Sequence, residues 1–211
     1  MFVKICGIRS IEDLKKVENL VDAAGVVVRS KSKRAVGLDE AKVIISRARI
    51  PVFVVSTESS YEGWKEIIER TKADYIQVHS DMDIEEFEKI KREFSCTITK
   101  AFTVPEQCKN PETVTDKIVE YASKFNADYF LFDTGKGSGK VHDLRVSREI
   151  FRKVDNAILA GGLNPVNVRG IIEFVKPFGV DVSSGVERNR VKDPELIRSF
   201  VEVVKSMNCL K

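Results

Sequence analysis

The chain has 211 residues, 43% hydrophobic and 32% charged, with 35 Lys+Arg against 32 Asp+Glu for a formal net charge of +3. This composition fits a folded chain of one domain over residues 1–211. It excludes intrinsic disorder and gives no basic excess of the kind nucleic-acid binding requires. No apolar stretch reaches membrane-spanning length, and the first residues lack a signal-peptide pattern. The four cysteines, Cys6, Cys96, Cys108 and Cys209, form no C-x-x-C pair, and His79 and His142 supply no zinc spacing. A reducing cytoplasm is therefore the expected compartment, with neither metal nor membrane as partner.

Taken in chain order, short runs rich in β-branched and aromatic residues recur at Phe2–Ile5, Gly25–Val28, Val52–Val55, Tyr75–Val78, Thr97–Phe102, Tyr129–Phe132, Ala157–Leu159 and Val180–Ser183. A helical pattern follows each. After Ser10, the residues Ile11, Leu14, Val17 and Val21 keep helical spacing, as do Ile84, Phe87 and Ile90, and later Ile197, Phe200 and Val204. Asn110-Pro111, Asn164-Pro165 and Asp193-Pro194 each read as an N-cap followed by proline in the first turn. Nearly continuous apolar strands alternating with helices mean a parallel sheet covered on its outer face. Eight such units predict an α/β fold, a (β/α)8 TIM barrel of small size. The competing open doubly wound sheet usually carries a glycine-rich dinucleotide turn after the first strand, and Cys6-Gly-Ile-Arg-Ser10 is not one.

Chemistry in such a barrel belongs to the C-terminal ends of its strands. Here those ends carry Cys6, the loop Arg29–Arg34, Ser56, His79, Phe102-Thr103, Asp133, Gly161-Gly162 and Ser183-Ser184-Gly185. The last two turns read as a phosphate site. Glycines let backbone N–H groups approach an anion, serines add hydroxyl donors, and helix N-termini add positive potential. Tight-turn glycines are the plain alternative. The loop Gly135-Lys-Gly-Ser-Gly-Lys140 is placed to close on the same phosphate, although its spacing is not that of a nucleotide P-loop.

The titratable candidates are each ambiguous alone. A carboxyl group ending an apolar strand suits a general acid if burial favours its protonated form; Asp133 is equally readable as a turn cap or a lysine partner. Cys6 is either a small buried hydrophobe or a thiolate base. The run Arg29-Ser-Lys-Ser-Lys-Arg34 is either a solvated charge cluster or the source of an arginine that grips a carboxylate with two parallel hydrogen bonds. His79 is a rim histidine or a ligand contact.

Together, Lys4-Ile-Cys-Gly-Ile8, Ser30-Lys-Ser-Lys-Arg34, Gln77-Val-His79, the Asp133-Thr134 strand end with its glycine loop, Ala160-Gly-Gly-Leu-Asn-Pro165 and Val180-Asp-Val-Ser-Ser-Gly-Val-Glu187 resemble the phosphoribosylanthranilate isomerase family over essentially the whole chain. The resemblance implies a cofactor-free Amadori rearrangement of a phosphosugar in tryptophan biosynthesis. It implies Asp133 as general acid, Cys6 as general base and Arg34 as the group that holds the anthranilate carboxylate. It assigns the phosphate to Gly139, Gly161, Gly162, Ser183, Ser184 and Gly185, and places Lys4 and His79 in the remaining substrate pocket. The family usually has an aromatic and a proline where Val28-Arg29-Ser30 stand, and a glycine where Ser80 stands.

Three other readings compete with this one. The related sugar-phosphate isomerase of histidine biosynthesis usually ends its first strand in aspartate and shows a doubled half-barrel pattern, whereas this chain has Cys6 and no clear internal repeat. A phosphate-binding barrel without catalysis would lack the acid or the base. A nucleic-acid binder is disfavoured by 8% aromatics and balanced charge. The expected partner is a small phosphosugar, and the chain is a monomer or a homodimer.

Overall fold

A computed structural model describes residues 1–134 and 141–207. Its first strands and helices are β1 (Phe2–Cys6), α1 (Ile11–Val17), β2 (Ala23–Val28), α2 (Leu38–Arg47), β3 (Val52–Ser56), α3 (Tyr61–Thr71), β4 (Tyr75–Val78) and α4 (Ile84–Glu93). There follow β5 (Thr97–Thr103), α5 (Pro111–Ala122), β6 (Tyr129–Asp133), α6 (Leu144–Lys153), β7 (Ala157–Leu159), α7 (Val168–Val175) and β8 (Gly179–Val182). A short 3-10 turn (Ser184–Val186), a two-stranded hairpin β9 (Glu187–Arg188) and β10 (Val191–Lys192), and α8 (Pro194–Ser206) complete the order.

β1 to β8 close in sequence order into one barrel, the architecture that the alternation of runs predicts. Each of the eight apolar runs falls on one of these strands, the last overrunning β8 by one residue, Ser183. The reason is visible in the burial: every residue of β2, β3, β7 and β8 is buried. Strands covered on both faces have no polar face to alternate with, so they read as unbroken apolar runs. The register is parallel, pairing Val28 with Ser56 and Ser56 with Val78, and pairing Phe132 with Leu159 and Leu159 with Val180.

The chain divides into two compact units. One holds Met1–Lys4, Phe102–Ser123 and the described residues from Phe130 on; the other holds Ile5–Ala101 and Lys124–Tyr129. In the first, Phe102 packs against Phe130, Phe132 and Tyr121, and Phe132 meets Phe151. In the second, Phe53 meets Tyr75 and Tyr129, and Phe87 meets Phe125 edge-on. Such ring pairs contribute roughly 0.5–1.5 kcal/mol each beyond their buried area.

Caps set where the helices start. Ser10, Ser60, Asp83, Asn110, Asp143 and Asp193 each accept a backbone N–H from the first turn of the following helix. Each such cap is worth about 1 kcal/mol. Asn110-Pro111 and Asp193-Pro194 start α5 and α8 as their sequences predict. Asn164 does not start α7. It accepts the N–H groups of Val166 and Asn167 across a turn, and Asn167 holds the N-cap position before Val168. Among the described residues no helix is long and apolar enough to cross a membrane.

Candidate active site

Cys6 is the last residue of β1 and is half-buried. The chain turns away from it at once because Gly7 adopts a φ of 81°, which a side chain disfavours. Both Gly7 and Ile8 then donate their N–H groups to the Gly25 carbonyl at 2.9 Å. Gly25 on β2 is needed for a second reason: a Cβ there would lie 2.9 Å from the Cys6 sulfur. The thiol's space is thus set by the absence of a neighbouring side chain.

Asp133 is the last residue of β6. Its Oδ1 accepts from the Thr134 N–H at 2.6 Å and from the Thr134 hydroxyl at 3.1 Å. The loop after β7 closes against this carboxylate. A Cβ on Gly161 would stand 2.4 Å from Asp133 Oδ1, and Gly161 and Gly162 have φ of 90° and 66°. Both glycines therefore serve the turn, and Gly161 also serves the close approach to Asp133. The turn after β8 is packed on the same loop, since a Cβ on Gly185 would fall 1.8 Å from the Leu163 carbonyl oxygen. Ser183 and Gly185 are half-buried and Ser184 is exposed.

Lys4 and Asp181 form a buried ion pair, Nζ to Oδ2 at 2.6 Å, with side chains 1% and 6% exposed. Strand β8 ends at Val182, so Asp181 belongs to the strand and Ser183 lies just past it.

Two arginines, Arg29 and Arg34, flank the loop after β2. Arg29, at φ 44°, is turned toward α3 and the loop before it, where it pairs with Glu66 of the helix and Glu58 of the loop and donates to the Gly63 carbonyl. At Arg34 the backbone N–H donates to the Ser32 hydroxyl at 3.2 Å, and the loop is tied back to β2 by the Val36 N–H on the Val27 carbonyl. His79, just past β4, has Nδ1 3.3 Å from Gln77 Nε2, and its backbone N–H donates to the Ser56 carbonyl. Gly139 lies outside the described residues.

Comparison with known proteins identifies the family and the fold. A model of the family described as N-(5'phosphoribosyl)anthranilate (PRA) isomerase matches residues 3–203. The N-(5'-phosphoribosyl)anthranilate isomerase of Pyrococcus abyssi is 53% identical, covering 98% of this chain and 99% of its own length. The chain belongs to the phosphoribosylanthranilate isomerase family. The structure of the isomerase from Pyrococcus furiosus superposes with a TM-score of 0.92 at 48% identity, covering 98% of this chain and 99% of that one. A further phosphoribosylanthranilate isomerase structure, solved in complex with reduced 1-(o-carboxyphenylamino)-1-deoxyribulose 5-phosphate, has a TM-score of 0.81 at 30% identity, covering 98% of this chain and 99% of that one.

Within this phosphoribosylanthranilate isomerase barrel, several polar groups escaped sequence reasoning because only tertiary burial distinguishes them. His142 is 3% exposed, with Nε2 2.5 Å from the Ser147 hydroxyl. Burial pushes its imidazole down to about 4, although the Asp133 and Asp143 carboxylates pull the other way, so it is neutral near pH 7. Asp143 caps α6, and the Arg145 guanidinium, bound through two nitrogens at 2.7 and 2.9 Å, holds its carboxyl well below the usual carboxylate range. Lys192 and Glu187 are paired inside the β9–β10 hairpin.

Proposed function

We propose that this chain converts N-(5-phosphoribosyl)anthranilate into 1-(2-carboxyphenylamino)-1-deoxyribulose 5-phosphate, without a cofactor, in tryptophan biosynthesis. The observation that carries the reading is the family match over residues 3–203. The placement of Cys6 and Asp133 at the C-terminal ends of β1 and β6 supports it, because acid and base then stand on different strands of one barrel.

In this reading Asp133 gives its proton to the furanose ring oxygen. The bond from that oxygen to C1′ breaks, and the nitrogen lone pair forms the C1′=N bond of a Schiff base. The Cys6 thiolate then takes the C2′ proton, and the electron pair left behind makes an enolamine. Transfer of the enol proton from oxygen and protonation of C1′ give the ketone. Nothing is oxidised or reduced overall, since the hydrogen lost at C2′ is balanced by the one gained at C1′. Arg34 binds the anthranilate carboxylate, and Gly139, Gly161, Gly162, Ser183, Ser184 and Gly185 bind the phosphate. Lys4 and His79 complete the pocket. Residues 1–211 carry this function as a single barrel domain, in the cytoplasm.

The test follows anthranilate fluorescence after adding freshly made phosphoribosylanthranilate. The expected result is rapid, enzyme-dependent loss of the signal. Binding of a reduced product analogue without turnover would retain the barrel and its ligand but remove the enzyme assignment.

A sharper expectation concerns Gly161. Gly161→Ala places a methyl group against Asp133 Oδ1 in a backbone conformation unfavourable to alanine. Displacing a catalytic group by about an ångström is costly, so kcat is expected to fall by about tenfold or more. Steady-state kinetics alongside a thermal melt checks this; an unchanged kcat would mean that Asp133 tolerates the shift and is not the acid.

A further inference from the structure

We propose that Lys192 is a positioning residue for the phosphate-binding turn, fixing the Ser183–Ser184 peptide so that the Ser184 N–H is presented to the phosphate. The proposal rests on the reading that the turn after β8 holds the substrate phosphate.

Lys192 ends β10 and its side chain is 1% exposed. A lysine this deeply buried needs its ammonium protons satisfied. Its Nζ donates to Glu187 Oε1 at 2.8 Å and to the Ser183 carbonyl at 3.0 Å. Glu187, 5% exposed, stands directly opposite Lys192 in the hairpin register, so the ion pair is a cross-strand pair. The hairpin is closed by Asn189 and Arg190, both at positive φ, the conformation of a type I′ turn. Its return strand leads into Asp193, whose N–H binds the Val186 carbonyl. The ammonium is therefore held by the fold, and its contact with Ser183 is built in.

The consequence follows from peptide planarity. In a trans peptide the carbonyl of one residue and the N–H of the next point in opposite directions. Drawing the Ser183 carbonyl toward Lys192 turns the Ser184 N–H away from the hairpin. Hydrogen bonding of a cation to that carbonyl also polarises the peptide and makes its N–H a stronger donor. Because Glu187 offsets the ammonium charge, Lys192 acts on an anion mainly through this peptide.

Inorganic phosphate serves as the probe. It is assayed as a competitive inhibitor of the isomerase reaction, and by the shift of the Ser184 amide resonance in protein labelled with 15N-serine. Wild type should show both effects. Lys192→Met should weaken phosphate inhibition and raise KM by about tenfold, the scale of one charge-assisted hydrogen bond, with kcat within about threefold of wild type. Lys192→Met with Glu187→Met removes the pair together and leaves no buried charge, so folding is preserved even if the single variant fails. Phosphate should still bind this double variant about tenfold more weakly, the loss expected from the missing carbonyl contact. If the double variant binds phosphate like wild type, Lys192 is only half of a structural ion pair and the proposal falls. If phosphate neither inhibits wild type nor moves its Ser184 resonance, the phosphate-site reading itself falls.

Discussion

Asp133→Asn is expected to lower kcat by roughly a hundredfold or more, the contribution of a positioned general acid, while its melting temperature stays close to that of wild type. Asparagine keeps the shape of the side chain, and its amide oxygen can still accept from the Thr134 N–H and hydroxyl that now hold Oδ1. It also fits the space that Gly161 leaves open. What it cannot do is release a proton to the ring oxygen. Cys6→Ser makes the same kind of separation at the other end of the mechanism. Serine fits where Gly25 makes room for the thiol, but a hydroxyl is a far weaker acid than a thiol and offers almost no anionic base near neutrality. Initial rates of fluorescence loss with each variant, read beside thermal melts, check both roles. A rate within tenfold of wild type for Asp133→Asn would show that ring opening draws its proton from elsewhere.

The barrel was legible because parallel strands buried on both faces leave a simple mark, a short apolar run with no alternation. β7 is only Ala157–Leu159, yet its three residues are all buried and read as a strand. The hairpin β9–β10 left no such mark. Its strands have two residues each, too few for any period, and the turn is Asn189-Arg190 without the usual glycine. Nothing in the sequence therefore marks Lys192, although it is among the most buried side chains. Arg29 shows the converse. It stood in a cation run beside Arg34, and only the fold shows that α3 and the loop before it bring Glu66 and Glu58 to it. The Asn164 cap was misplaced because Asn167 offers the same chemistry three residues later, and the turn between them satisfies both side chains. For the site, residue chemistry alone left Cys6, Asp133 and His79 each open to two readings. Their roles came from the family resemblance, and the geometry adds the glycines that make room for the first two.

The Lys4–Asp181 pair predicts a large stability effect. Both side chains are nearly fully buried and the ammonium lies 2.6 Å from the carboxylate. Taking two charges out of water is expensive, and their attraction mainly offsets that cost. Removing one partner leaves the other buried and uncompensated, so Lys4→Met is expected to cost about 3–5 kcal/mol. For a chain of this length that is a fall of roughly 10 °C in Tm. Thermal melts and urea titrations measure it. Replacing both partners, Lys4→Met with Asp181→Leu, should recover most of the loss because no charge then remains stranded. No loss in the single variant would mean that water reaches Asp181 when the lysine is gone. The double variant also decides what Lys4 is for. Lys4 lies two residues before Cys6, on the same face of β1. If the double variant is stable but its KM for phosphoribosylanthranilate rises about tenfold, the scale of a lost charge-assisted contact, the pair belongs to the substrate pocket. If stability and KM recover together, the pair is only a structural tie between β1 and β8.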